Sequence, residues 1–429
     1  MRAFTLSTYF IFLHLFFYTV CADSSLVYDE LILKDKFINS INSSLKFFEN
    51  RQNSDGSFIY DVEPFTGRTT YKGNMVRQAG SLLSLAFSYD GVNKDQKRVI
   101  DNSISYFLSN VSEFSYKGKT LMIISENNEA YTGTICLFLS SYFYLHSQFK
   151  DQFPINNKAF VGLMNTLEDF VSPKGGITEY INISETYLDR IGRGSEIYAS
   201  SQHFLTLAIF HYAFKRSKMS PTLATYLDLY DREWAYGDII PSYLWVMLSH
   251  LFLSRHGFPD QINQIKENIE NLQSSYDDLV GIKYIKSNYC TQLEGFSYYL
   301  LYKQETNTLN RFLFYRLTKH LRYSLNFQIT SGLKKVISKV ETTLKKPQHT
   351  IGGFWHKQSD VYHTRVDYTQ HCLSAYNSHQ MISNNMIRDV EEYDEIERLA
   401  QVRQLEVDAR KTIEYKRMHR VIPKVINKY

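Results

Sequence analysis

The sequence predicts an all-α fold, on three observations. Apolar residues recur at helical spacing almost throughout, and strand signals are sparse. The helical segments alternate in kind, one with a single apolar stripe and the next apolar nearly all round. The connections alternate in length, long and then short. The spacing predicts helices over 32–52, 74–89, 95–112, 129–147, 156–171, 195–216, 219–230, 239–256, 260–276, 290–304, 308–332 and 366–380. The odd members are amphipathic: Asp260 to Leu272 shows one apolar stripe, which suits an outer layer with one wet face. The even members, such as Ala79 to Ala86, Tyr131 to Leu145 and Tyr243 to Leu253, lack a polar face and are expected to be buried. Links from odd to even helices are long, at 53–73, 113–128, 172–194, 231–238, 277–289 and 333–365, whereas the return links are short. Six buried helices ringed by six amphipathic ones make an α/α toroid, or (α/α)6 barrel, over residues 23–380, in preference to a two-domain helical bundle.

The ends of the chain differ from this pattern. Arg2 and the apolar run Tyr9 to Val20 precede Val20-Cys21-Ala22, a small-residue cleavage site, so residues 1–22 read as a signal peptide. Lipid attachment at Cys21 is the alternative, with a poor lead-in in Tyr18-Thr19-Val20. A secreted or periplasmic protein without a stable membrane anchor is expected. After Asn377, charged residues dominate, and Val390, Tyr393, Ile396, Leu399, Val402 and Leu405 fall at helical spacing. Residues 381–429 therefore read as a helical extension, either strapped across the toroid or mediating self-association. The 429 residues carry a net charge of only +4, with 44% hydrophobic and 21% charged residues, a globular balance that argues against nucleic acid as the partner. Cys136, Cys290 and Cys372 allow one disulfide and no disulfide framework. Asn42, Asn110 and Asn182 open glycosylation sequons, relevant only in a eukaryotic host.

Gln52-Asn53-Ser54-Asp55-Gly56-Ser57-Phe58, after Leu45-Lys46-Phe47-Phe48, resembles the glutamine–glycine–aromatic repeat of the terpene cyclase and prenyltransferase toroids. Gly175-Gly176-Ile177 and Gly352-Gly353-Phe354-Trp355 look like degenerate copies. Similar Asp-Gly-aromatic turns occur in six-hairpin glycosidases, uronate epimerases and polysaccharide lyases. The resemblance implies the toroid over residues 32–380 and leaves the chemistry open.

In this topology each buried helix begins at the long-loop face, where its unpaired N–H groups and positive dipole end converge on one funnel. Polar residues in those starts are the site candidates. The richest start is Arg365-Val366-Asp367-Tyr368-Thr369-Gln370-His371-Cys372. Asp367 and His371 are four apart, on one helix face, so a carboxylate can hold the imidazole as proton transfer requires. Arg365 is a cation able to clamp a carboxylate. Glu294 enters the preceding buried helix, and Arg77 and Gln78 enter the first. Glu129 opens the second, Arg193 the third with Glu179 and Tyr180 before it, and Asp238 the fourth after Trp234 and Tyr236. Structural capping is as good a reading for any single one. The loop aromatics Tyr60, Tyr71, Tyr180, Trp234, Tyr236, Trp355 and Tyr362 suit sugar rings, or pack the loops.

Together these point to an enzyme acting on a polysaccharide or oligosaccharide, with uronic acids as a candidate because Arg77, Arg193 and Arg365 approach the funnel. A glycoside hydrolase needs two carboxylates from Glu129, Glu179, Asp238, Glu294 and Asp367. A uronate lyase or epimerase needs a base, His371 or a tyrosine, and a cation such as Arg365. Neither requires a cofactor. The competing expectations are a zinc toroid of prenyltransferase or lanthionine-cyclase type, with Cys290, His371 and Cys372 as ligands, and a non-catalytic scaffold. Against zinc, Cys372 points about 100° from His371 on one helix. The Asp-rich motif of terpene cyclisation is absent.

Overall fold

The computed structural model describes residues 33–70, 73–155, 158–172, 176–182, 195–230, 236–280, 289–337, 340–358 and 361–386. The signal peptide expected at 1–22, the charged helix expected after Asp389, Tyr71, Arg193 and Trp234 lie outside them. The chain divides into a compact unit, Asp35–Ile382, and a second unit made of Met1–Lys34 and Ser383–Tyr429. The compact unit holds the helical ring.

Twelve α-helices occur among the described residues. They are α1 (33–51), α2 (Met75–Ser88), α3 (Lys94–Ser109), α4 (Thr132–Gln148), α5 (Lys158–Asp169), α6 (Ser195–Phe214), α7 (Pro221–Leu229), α8 (Tyr236–His256), α9 (Ile262–Val280), α10 (Tyr289–Glu305), α11 (Arg311–Ser324) and α12 (Val366–Met386). The sequence predicts every one. Local chemistry sets several starts: the side chains of Asn74, Asn93, Ser220 and Asn310 accept from backbone N–H groups opening α2, α3, α7 and α11.

The even helices are the inner layer. Thr132 to Phe143 of α4 and Thr291 to Tyr302 of α10 are buried without a break. Side by side, α2 packs on α4, α4 on α6, α6 on α8 and α8 on α10. The Cys290–Cys372 disulfide joins α10 to α12. The Ser84 and Ser374 hydroxyls meet at 2.6 Å between α2 and α12, and Ser81 donates to Gln370 across the same seam. Gly80 makes that approach possible, since a Cβ there would lie 2.6 Å from the Gln370 amide nitrogen. The ring of six is closed. No helix of the described residues is long and apolar enough to cross a membrane.

Strands are the main departure from the sequence reading. They decorate the long loops: β1 (Asp61–Val62), β2 (Thr69–Thr70), β3 (Val111–Tyr116), β4 (Lys119–Glu126), β5 (Glu129–Tyr131), β6 (Tyr180–Asn182), β7 (Lys334–Ile337), β8 (Val340–Thr343), β9 (Trp355–Gln358) and β10 (Val361–Arg365). One sheet runs β2-β1-β10-β9, pairing Asp61 with Arg365, and so sews the loop before α2 to the loop before α12. Another, β3-β4-β5-β6, does the same for the loops before α4 and α6. Short strands that find partners in distant loops leave little periodicity to read.

The three resembling turns recur as one device. Each closes with an isolated antiparallel bridge: Gln52 with Phe58, Val171 with Ile177, and Gln328 with Phe354. Each then hands a backbone N–H to a polar side chain in the following inner helix. Phe58 donates to Gln78, Ile177 to the Ser200 hydroxyl and Phe354 to the Thr369 hydroxyl. Gly56 (φ +92°) and Gly352 (φ +88°) adopt the left-handed conformation, and a Cβ would overlap the carbonyls of Asn102 and Ser43 on the next outer helix.

A candidate active site at the helix starts

The starts of α2, α10 and α12 bring two polar clusters to the long-loop face. The first is built on Asp367. Arg365, at the end of β10, donates to both its oxygens, by Nε at 2.9 Å to Oδ1 and by Nη2 to Oδ2. The Tyr60 hydroxyl donates to Oδ2 at 3.5 Å and in turn accepts from Arg77, whose own Nε lies 3.5 Å from Oδ2. Arg365 also donates to the Tyr368 hydroxyl at 2.9 Å and lies over the Tyr60 and Tyr368 rings. Burial, then the Asp367 charge, pushes the Tyr60 hydroxyl above its usual range. Burial alone would lower the Arg365 guanidinium, but Asp367 outweighs it and the net shift is upward. Both groups therefore stay protonated donors. Arg77 remains 46% exposed against 17% for Arg365, so of these two Arg77 is the cation open to a ligand.

The second cluster is a dyad. His371 Nδ1 meets Glu294 Oε2 at 2.5 Å, with the carboxylate almost wholly buried. The Tyr298 hydroxyl, one turn further along α10, donates to Glu294 Oε1 at 2.6 Å. Burial and the neighbouring Glu294 carboxylate hold that hydroxyl well above its usual range, so it is a permanent donor. A carboxylate facing Nδ1 selects the tautomer with the proton on Nδ1 and leaves Nε2 as the basic nitrogen. Nε2 carries no hydrogen bond among the described residues, and the Trp245 ring stands 6.4 Å from the imidazole, centre to centre. Burial raises the Tyr198 hydroxyl of α6 above its usual range, and Arg77, Asp367 and Glu179 lie near enough for their charges to act on it.

Several expectations change. Asp367 and His371 share a helix face, but each takes a different partner: Asp367 goes to Arg365 and Arg77, and His371 goes across the ring to Glu294. A buried carboxylate one helix away outcompetes the one four residues back, which two cations already neutralise. Arg365 is committed to Asp367 and is no free clamp. Gln78 binds the Phe58 backbone through both ends of its amide, and Gln370 packs the α2–α12 seam. Trp355 packs between Phe327 and Tyr362. Glu129 does not open α4: it lies exposed on β5, where it accepts from Tyr180 at 3.3 Å, and the helix starts at Thr132. Glu179 is half-buried and its backbone carbonyl accepts from Thr132. Tyr236 and Asp238 begin α8. The zinc alternative does not fit. Cys290 and Cys372 are bonded to each other, and among the described residues no trio of His, Cys, Asp or Glu converges.

Tyr298, Trp245 and Tyr198 are additions to the sequence reading. Only Tyr298 left a signal, four residues after Glu294 on the same face.

No protein-family model matches the sequence, and no curated protein does. Solved structures do match by shape. A D-mannose isomerase superposes with a TM-score of 0.56 at 13% identity, over 80% of this chain and 97% of its own. An unsaturated glucuronyl hydrolase specific for heparin gives 0.54 at 9%, over 82% and 98%. A type II terpene cyclase from Scytonema gives 0.51 at 11%, over 82% and 99%. The fold is an (α/α)6 toroid. Three chemistries share this toroid, so the likeness carries the fold and the chemistry must be argued from the site.

Proposed function

We propose that the protein is a secreted carbohydrate-active enzyme whose reaction is proton transfer beside a carbonyl, the chemistry of a sugar epimerase or isomerase. The observation that carries this reading is the Glu294–His371 dyad opening on the funnel beside Arg77. Hydrolysis by Glu294 and Asp367 as the carboxylate pair is less well supported, because both oxygens of Glu294 and both of Asp367 are already engaged by donors. A glycosidase needs one carboxylic acid and one free carboxylate. The likeness to a mannose isomerase supports a sugar substrate, and the Cys290–Cys372 disulfide supports an oxidising, secretory destination.

In this mechanism His371 takes, through Nε2, the proton on the carbon next to the aldehyde or ketone of an open-chain sugar. The electron pair moves to the carbonyl oxygen, giving an enediolate. Glu294 stabilises the imidazolium, and the Arg77 guanidinium faces the developing negative charge. When the enediolate turns its other face to the imidazolium, return of the proton from Nε2 to the same carbon gives an epimer and restores His371. Its return to the neighbouring carbon, with the hydroxyl proton moving to the first oxygen, gives an isomer.

The test is incubation with mannose, glucose, cellobiose and glucuronate in heavy water, read by proton NMR. Deuterium appearing next to the carbonyl, abolished by His371→Asn, is the expected result. Release of new reducing ends from an oligosaccharide without deuterium at that carbon would overturn the proposal in favour of hydrolysis.

A further inference from the structure

Cys290 and Glu294 are four residues apart on α10, and Cys372 directly follows His371 on α12. The disulfide and the dyad are therefore adjacent rungs between the same two helices, with the α-carbons of the cysteines 4.8 Å apart. Tyr298 continues the stripe on α10, donating to Glu294. Cys290 sits in the first turn of its helix, where N–H groups lack intrahelical partners and helices fray. A hydrogen bond of 2.5 Å between two separate helices tolerates little relative displacement of their ends.

We propose that the Cys290–Cys372 disulfide is the positioning element of the Glu294–His371 dyad, and that a thiol reductant disengages the dyad by opening it. For its effect on turnover this deepens the proton-transfer reading and rests on it; for its effect on geometry it does not. Cys372 is 1% exposed whereas Cys290 is half-buried, so the reductant's thiolate attacks the Cys290 sulfur and Cys372 leaves as thiolate. With a dithiol reagent, ring closure of the mixed disulfide releases Cys290. Two electrons and two protons pass to the protein, and one cyclic disulfide is formed. The two cysteines are 82 residues apart in sequence, but the Gln304 amide of α10 also donates to the Ile382 carbonyl of α12 at 2.9 Å, a link that does not depend on the disulfide and lets reoxidation restore the rung.

The experiment uses the full chain labelled with 15N-histidine, oxidised or reduced with a dithiol, with reduction verified by mass after alkylation of a parallel sample. The His371 signals are assigned by their loss in His371→Asn. In the oxidised protein a carboxylate-bound Nδ1–H resonance is expected. On reduction it should broaden away or shift to a mixture of tautomers while far-ultraviolet circular dichroism stays unchanged. Cys290→Ser should do the same without reagent. Where deuterium exchange into a sugar is measurable, kcat should fall about 10²-fold with KM little changed. An unchanged Nδ1–H resonance in fully reduced protein would overturn the proposal, and so would a general loss of helix on reduction, since the bond would then hold the fold and not the dyad. If the resonance responds but the oxidised enzyme exchanges no sugar proton, the positioning role stands and the proton-transfer reading fails.

Discussion

Arg51 offers the sharpest test of how the loops are held over the ring. It is wholly buried, yet ordinary sequence logic puts an arginine at the end of an amphipathic helix in water. Its Nε donates to the His349 carbonyl at 2.6 Å, Nη1 to those of Ile59 and Tyr60 at 3.0 and 3.2 Å, and Nη2 to that of Thr364 at 2.8 Å. Burial lowers the guanidinium pKa to about 9, and Asp61 opposes that fall. Arg51→Met keeps the volume and removes every donor. The Tyr60 carbonyl retains the Val366 N–H, but among the described residues Ile59 and His349 lose their donor outright. Each orphaned carbonyl costs about 1–3 kcal/mol, and the two further charge-assisted bonds add to that. Relief from burying a cation offsets part of the loss. The net expectation is a loss of about 3–5 kcal/mol. At a slope of ~3 kcal/mol per molar urea this moves the unfolding midpoint down by on the order of 1 M. Arg51→Lys, with three donors and no planar fork, should fall between the two. A Met variant whose midpoint stays within ~0.2 M of the parent would refute the view that this guanidinium staples the loops.

Other consequences can be checked as directly. Glu294→Gln leaves His371 without its carboxylate and should lower kcat by about 10²-fold or more in steady-state kinetics, with KM nearly unchanged; a change of less than ~5-fold would count against the dyad. Gly352→Ala forces a side chain into a left-handed conformation against the Ser43 carbonyl, so a loss of about 2 kcal/mol or more is expected by thermal melting, and full parental stability would contradict it. His203, His379 and His250 are buried, and burial lowers their pKa values to about 3, about 3 and about 4. Because the unfolded imidazole titrates near ~6.5, the unfolded chain binds protons that the folded one refuses. Stability should be complete above that pH and decline as pH falls toward about 4, by up to ~1.4 kcal/mol per unit for each histidine. A melting temperature that is level between pH 7 and pH 5 would contradict this.

The helical architecture was legible because burial writes itself into composition. A helix such as α10, buried from Thr291 to Tyr302, cannot carry a polar face, whereas α9 must. The same logic put Asp367, His371, Glu294 and Arg77 on one face of the molecule. Partner choice was not legible. That His371 pairs with Glu294 depends on the rotation of α10 against α12, and one sequence holds no trace of it. The roles of Gln78 and Gln370 were hidden for a related reason: amides that bind backbone or pack beside glycine look the same in sequence as amides that bind sugar. Asp61 and His363, paired at 2.7 Å across β1 and β10, belong to strands too short to leave a period.

The seam between α2 and α12 has one more implication. The serine hydroxyls that close it come from positions 290 residues apart, and the funnel draws Arg77 from one side of the seam and Asp367 from the other. A growing chain completes its first five inner helices before the sixth exists. Until that last segment docks, the carboxylate that neutralises Arg77 and the imidazole that faces Glu294 are both missing. Closure of the ring and assembly of both clusters thus coincide in a single event, the moment the circle is completed.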